Sequence, residues 1–418
     1  MPTPSANKLV GWNSAGTALE NKTAADIDLA TVTAFIETLL DDADAAAART
    51  TLGIDGSSKV IATGDLADGG VTFPKLGTSA MAAGFALLNG YLSWSVSGNA
   101  LTVAVKTLAG ADPSASDPVY IVFRNSTAAT GSPVFRALTA ATSVTVPDTA
   151  FVGTANSTAF RLWCVAFDDG GTVRLAVINC VQITANSGSG YNVTGIYPLS
   201  GWGIASSTQV GTGSDSWGAF YSSGASVASQ AYSTLGYATW ESGLAAAGTW
   251  SAGPTRVQLW AHGSPLPGQV VQQTFTQTTG VVNGTTALPM DDTIPQSGEG
   301  VQMMTLAITP TSAANALASE NVAYLSQNSG SEEYMAVALF RDAIANAIAA
   351  IAGYQVRDGT GVTQPINLTF LAGSTSATTL KIRAGSNGAT TITLNGTGSS
   401  RRFGGVAASS MKLTELMG

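Results

Sequence analysis

Charge is what this chain lacks. Asp, Glu, Lys and Arg together supply 11% of its 418 residues, against roughly 25% in ordinary soluble domains. Such a surface solvates a monomer poorly, so much of it is expected to lie under subunit contacts. Apolar residues reach 45%, which excludes a disordered chain. The 47 Gly residues show no strict period, which excludes collagen. Apolar runs stop short of the ~18 residues that a membrane helix needs. Over residues 337–352, for example, Arg341, Asp342 and Asn346 intervene. With 18 basic against 26 acidic residues, no basic surface is available for nucleic acid. The opening residues MPTPSANK lack the basic-then-apolar pattern of an export signal.

Three regions are expected at this length: residues 1–78, 79–280 and 281–418. In the first, Leu29, Val32, Ile36 and Leu39 recur at helical spacing within residues 26–40, with Phe35 and Leu40 beside them. Residues 41–53 read as a second short helix, with acids at its start, an Ala-rich centre and Gly53 at its end. Neither is apolar enough to fold alone, so both are expected to pack on partner chains. The middle region reads as β structure, with strands over 100–106, 119–124, 143–146, 232–240 and 256–261. A hairpin is expected between 161–167 and 172–180, with Asp168, Asp169, Gly170 and Gly171 as its turn. A Gly/Thr-rich connector over 276–286 leads to strands at 300–309, 333–340, 364–371, 378–383 and 390–394. That count, with the tail, suits a jelly roll. The fold class is therefore mainly β, with short N-terminal helices, a middle β-sandwich-like domain and a C-terminal jelly roll.

Catalytic residues are not expected. The acidic doublets Asp41/Asp42, Asp168/Asp169, Asp291/Asp292 and Glu332/Glu333 place their carboxylates on opposite faces if extended. A glycosidase needs two acids facing each other roughly 5–10 Å apart. His262 is the sole histidine and sits in a Gly/Pro-rich turn, with no nucleophile pattern around it. One His and two Cys fall short of a structural zinc site, and no metal or cofactor is expected. With Phe167 facing Thr172, Cys164 would pair with Leu175, and Cys164 and Cys180 would lie on opposite faces of the ribbon. Buried free thiols are the expectation, consistent with assembly in a reducing cytoplasm. Five of the eight Trp fall in one Gly/Ser-rich stretch. Trp202, Trp217, Tyr221, Trp240 and Trp250 there suit sugar stacking, against the plainer reading of a sandwich core or subunit anchors.

Residues 35–53, FIETLLDDADAAAARTTLG, resemble a stretch in the N-terminal parts of tailed-bacteriophage fibre proteins, and residues 7–16, NKLVGWNSAG, resemble fibre openings. The last third resembles the trimeric, tumour-necrosis-factor-like jelly-roll knobs that end many such fibres. MDDTIPQ (290–296), MTLAITP (304–310), TSATTLKIR (375–383) and FGGVAASS (403–410) carry this likeness. ADPSASDPVYIVF (111–123) and GPTR (253–256) resemble a module of phage structural proteins.

The resemblance implies a homotrimer on the virion surface, assembled in the host cytoplasm. The N-terminus, with Trp12, Leu29, Phe35, Ile36 and Leu39, would dock on another phage structural protein. The knob would meet a host cell-surface glycan or protein without catalysis, membrane insertion or nucleic-acid contact. From their expected position in that fold, loops at 327–333, 357–361 and 384–388 would make this contact, through Ser331, Glu332, Glu333, Arg357, Asp358 and Asn387. The alternatives are a purely structural head fibre or collar/whisker component and, less favoured, a polysaccharide-degrading tailspike.

Overall fold

The computed structural model describes Thr3, residues 9–22, Ala43 and residues 86–125, 132–205, 216–222, 229–355 and 359–418. The chain divides into two compact units, Met1–Leu76 and Gly77–Gly418. In the first, strands Leu9–Trp12 and Leu19–Lys22 pair antiparallel, with Trp12 opposite Leu19. Asn13 closes their turn: its Oδ1 accepts the Thr17 amide, four residues on, at 2.8 Å. Trp12 is exposed. The helices expected over 26–40 and 41–53, with Leu29, Phe35, Ile36 and Leu39, lie outside the described residues.

The second unit is built of β-sheets. Its N-terminal part holds two three-stranded sheets, Leu87–Leu88/Val119–Arg124/Pro133–Leu138 and Gly90–Ser97/Ala100–Thr107/Thr142–Val146. The logic of Ala100–Thr107 is plain: Leu101, Val103, Val105 and Thr107 are fully buried and the residues between them are not. Gly98 and Asn99, both at positive φ, form the two-residue loop from Gly90–Ser97. A five-stranded sheet follows, with Phe160–Asp169 and Ala231–Trp240 paired at its centre. Ala231–Trp240 is buried along its whole length. Its register shifts between Thr234 and Gly236, and a Cβ on Gly236 would lie 2.4 Å from the Gln258 carbonyl oxygen. Only glycine fits there.

The hairpin around Asp168 forms, but two residues out of the expected register. Asp169 faces Thr172 and Phe167 faces Arg174, so Cys164 faces Val177, not Leu175. The turn is Gly170–Gly171 alone, both at positive φ, and the two acids extend the strand instead of making the turn. Each has its own cation. Arg136 grips Asp168 through two hydrogen bonds of 2.9 Å, and Arg174 Nε lies 2.6 Å from Asp169 Oδ2. The hydrogen bond to Asp168 raises the Arg136 pKa. Cys164 and Cys180 are buried free thiols, and burial pushes the pKa of both up. Neither is expected to react with a thiol reagent until the protein unfolds. Labelling of either in native buffer would contradict their burial.

The C-terminal part is a two-layered sandwich. One layer is the nine-stranded sheet, centred on Ala316–Asn328. That strand pairs with Ser409–Leu416, Leu368–Leu371, Gly361–Pro365 and Thr391–Leu394. Val270–Thr278 adds outside Ser409–Leu416, and Val282–Gly284 outside Thr391–Leu394. The other layer is the four-stranded sheet Val301–Ile308, Thr378–Ser386, Glu333–Arg341 and Ala349–Gln355. Between them pack Met304, Leu306, Leu325, Val337, Leu339, Ile382 and Leu413.

Two expectations change here. The connector placed over 276–286 carries strand at both 276–278 and 282–284, because Val270–Thr278 runs along Ser409–Leu416 and Val282–Gly284 pairs with Thr391–Leu394. The strand expected over 364–371 is two. Pro365 ends the first, and Asn321 takes up the break, donating from Nδ2 to the Ile366 carbonyl at 2.7 Å.

Candidate functional site

The sandwich brings the three loops of residues 327–333, 357–361 and 384–388 to one end, as far as they are described. The Gly359 amide donates to the Gln327 carbonyl at 3.1 Å, and Gln327 Nε2 donates to the Ser331 carbonyl at 2.8 Å. On the other side, Ser386 Oγ accepts the Thr390 amide at 2.8 Å, and a Cβ on Gly388 would lie 2.7 Å from Glu333 Oε1. Asn387 Oδ1 accepts the Met290 amide at 3.0 Å, which ties down the segment crossing the outside of the four-stranded sheet. Ser331, Glu332 and Asn387 are exposed and Glu333 half-buried. Arg357 and Asp358 lie outside the described residues.

Beside these loops stand two residues that sequence reasoning passed over. Tyr334 and Tyr354 are directly opposite each other on neighbouring strands. Their rings lie 5.0 Å apart at 59°, and each residue keeps 47% of its surface exposed. The Tyr354 hydroxyl donates to the Glu332 carboxylate. Tyrosine at a strand position whose inward neighbours are Met335, Val337 and Leu339 is the one signal that the outer face here is aromatic.

The next pairs along that outer face are small: Ala336 opposite Ala352, then Ala338 opposite Ala350. Over them runs the segment from Leu288 to Pro295, leaving an open cleft of about 290 Å³ lined by Ala336, Ala350, Ala352, Met290, Asp291 and Pro295, among others. The Asp291 carboxyl is held below its usual range by hydrogen bonds from the Thr293 side chain and amide.

The middle aromatics are placed differently from a stacking platform. Trp240, Trp250 and Tyr221 are buried. Trp240 stacks on Phe160 at 4.8 Å and 13°, with Trp250 edge-on at 5.8 Å. These three belong to the core, which corrects their reading as sugar-stacking residues: too little ring face is left for a ligand. Trp202 is half-buried and edge-on to His262 at 6.1 Å, and Trp217 is half-buried against the backbone of Gly153 and Gly195.

Arg161 is a buried charge that the sequence did not single out. It is 3% exposed, donates to Asn315 Oδ1 at 2.8 Å and to the Gly418 carbonyl at 3.0 Å, and lies 4.7 Å above the Tyr237 ring. Burial lowers its pKa to about 10. Among the described residues no three His, Cys, Asp or Glu groups converge as metal ligands.

A second exposed surface lies on the far side of the sandwich. Phe275, opposite Lys412, points outward from the nine-stranded sheet and is 72% exposed. Val322 and Tyr324 share that outer face, and Phe403 lies 6.3 Å from the Tyr324 ring with 71% of its surface exposed. Val406 is also exposed.

No protein-family profile and no curated protein sequence matches this chain. Among solved structures it aligns with the infectious bursal disease virus VP2 subviral particle at 12% identity, over 80% of this chain and 78% of that one, with a TM-score of 0.21. The infectious bursal disease virus Gx strain structure aligns at 10% identity over 79% and 78%, also with a TM-score of 0.21. An exo-β-1,3-galactanase from Phanerochaete chrysosporium aligns at 11% identity over 78% of each chain, with a TM-score of 0.12. TM-scores this low transfer neither fold nor function to this chain.

Proposed function

We propose that this protein is a homotrimeric phage fibre of the virion, anchored through its N-terminal unit and contacting the host surface through its C-terminal sandwich, without catalysis. The observation that carries the reading is the outer face of the nine-stranded sheet. Phe275, Val322, Tyr324 and Phe403 leave apolar surface open to water there, on a chain with little charge to offset it. Large exposed apolar residues on one face mark an interaction surface, and closed symmetry is the usual way identical chains cover such a face. The fibre-like segments 7–16 and 35–53 and the knob-like segments of the last third supply the choice of three chains and of a virion.

In solution the protein should have about three times the mass of the 42.1 kDa chain. Phe275→Asp should release smaller species by light scattering, because it would force a carboxylate into the apolar contact. A wild-type chain of monomer mass would end the trimer reading. Removing residues 1–60 should leave the trimer intact and abolish incorporation into particles. Competition with phage adsorption by the purified protein separates host recognition from a purely mechanical head-fibre or collar role.

A further inference from the structure

Resting on that receptor-binding reading, we infer that the cleft beside Tyr334 and Tyr354 is a glycan site that takes an uncharged or amino sugar ring. The four-stranded sheet builds it as a ladder on its outer face. The tyrosine pair stands at one end, and the pairs Ala336/Ala352 and Ala338/Ala350 continue from it. Small side chains keep the ladder low, and the segment from Leu288 to Pro295 forms the wall of the 290 Å³ cleft. That volume lies near the lower limit of small-ligand sites, roughly 300 Å³.

Its chemistry is mixed in the way a pyranose is mixed. Exposed tyrosine faces and alanine methyls meet the C–H side of a sugar ring, and the tyrosine hydroxyl is a polar handle at the rim. Carboxylates accept from hydroxyl groups. Asp291 lines the cleft, and Glu332 holds the Tyr354 hydroxyl at the tyrosine end. The Asp291 carboxylate in the lining, with Glu332 held at the tyrosine end, disfavours an anionic sugar and favours a neutral or ammonium-bearing one. Asn387 is a positioning residue, because it anchors Met290 at the start of the wall. The site opens on the opposite side of the sandwich from Phe275, so the trimer contact proposed above leaves it free.

The test is titration of the full chain with the methyl glycosides of glucose, galactose, N-acetylglucosamine and glucosamine, with 3′-sialyllactose as the anionic control, read by ligand-observed NMR. At least one neutral or amino glycoside should bind, and sialyllactose should not. Tyr354→Ala should weaken binding at least tenfold, the equivalent of about 1.4 kcal/mol. Ala352→Leu, at an exposed position, should do the same by filling the floor without touching the core. Tyr354→Phe keeps the ring and should retain most of the affinity, which separates stacking from misfolding. Silence from every glycoside, preference for the anionic one, or unchanged binding by both Tyr354→Ala and Ala352→Leu would overturn the inference. Labelled protein on a panel of bacterial strains tells the two failures apart. Cell binding that survives Ala352→Leu removes the cleft but keeps the receptor reading, whereas binding to no strain removes the receptor reading itself.

Discussion

Replacing Arg161 by Ala is expected to destabilise the protein by about 3–5 kcal/mol, read from the urea midpoint. The side chain lies in the strand Phe160–Asp169 and reaches four acceptors: Thr239 Oγ1 at 3.0 Å, Asn315 Oδ1 at 2.8 Å, the Gly418 carbonyl at 3.0 Å and, more weakly, Met417 Sδ at 3.2 Å. Thr239 Oγ1 loses its donor outright, at about 1–3 kcal/mol for a group left unsatisfied, while Asn315 Oδ1 keeps only the Gly418 amide at 3.3 Å and the Gly418 carbonyl keeps the Trp163 indole N–H at 2.9 Å. Removing the stem also leaves a cavity over Tyr237. Arg161→Met should lose less, since its chain refills the space and only the hydrogen bonds go. The network continues through Asn315, whose Nδ2 donates to Glu415 Oε1 at 2.6 Å. Glu415 is fully buried and also accepts from the Thr311 amide and hydroxyl, each at 2.8 Å, and from Gln272 at 2.6 Å. Arg161→Met and Glu415→Gln should therefore be non-additive by about 0.5–3 kcal/mol in a double-mutant cycle. Additive losses would mean that Asn315 insulates the two charges instead of linking them.

The second large effect is Trp240→Ala, also expected to cost about 3–5 kcal/mol. Trp240 is 1% exposed, stacked on Phe160, edge-on to Trp250 and, at 6.2 Å, to Trp94. Its indole N–H donates to the Ala252 carbonyl at 2.9 Å, so truncation removes both packing and a partner. Trp240→Phe should recover part of the loss. Trp12→Ala, at a residue 61% exposed, should stay within about 0.5 kcal/mol of wild type. Thermal unfolding followed by near-ultraviolet circular dichroism measures all three. Equal effects at Trp12 and Trp240 would contradict the core placement of Trp240.

What could be read in advance depended on whether a strand wears its environment in its own letters. Ala100–Thr107, and Val301–Ile308 from Met304 onward, bury alternate residues. Val119–Arg124 and Thr391–Leu394 are short runs of β-branched and aromatic residues. Ala316–Asn328, ALASENVAYLSQN, is the longest strand among the described residues and sits at the centre of its sheet, yet was not legible. Its Ser319, Asn321, Ser326 and Gln327 are buried by hydrogen bonding and not by apolar character. Register was the other gap. A four-residue turn was expected around Asp168, whereas the arginines that draw both acids into the strand come from Arg136 and Arg174.

The aromatic cluster of the middle region was conspicuous in the sequence, but composition does not distinguish a buried ring from an offered one. Tyr334 and Tyr354 illustrate the converse. They lie twenty residues apart and become a pair only through the register of Glu333–Arg341 on Ala349–Gln355. The loop at 384–388 joins two strands that were themselves readable, 378–383 and 390–394, whereas the loop at 327–333 has a readable strand only on its C-terminal side.

The position of Ser409–Leu416 has a consequence for how the protein is made. This strand lies between Val270–Thr278 and Ala316–Asn328, both of which leave the ribosome more than eighty residues before it. Until it arrives, the sheet has a gap flanked by two unpaired edges, the state most open to pairing with a wrong strand. Pairing across so long a separation is slow. The sandwich therefore cannot close before this strand has emerged, and until then a neighbouring nascent copy on the same message can offer a wrong edge to the gap.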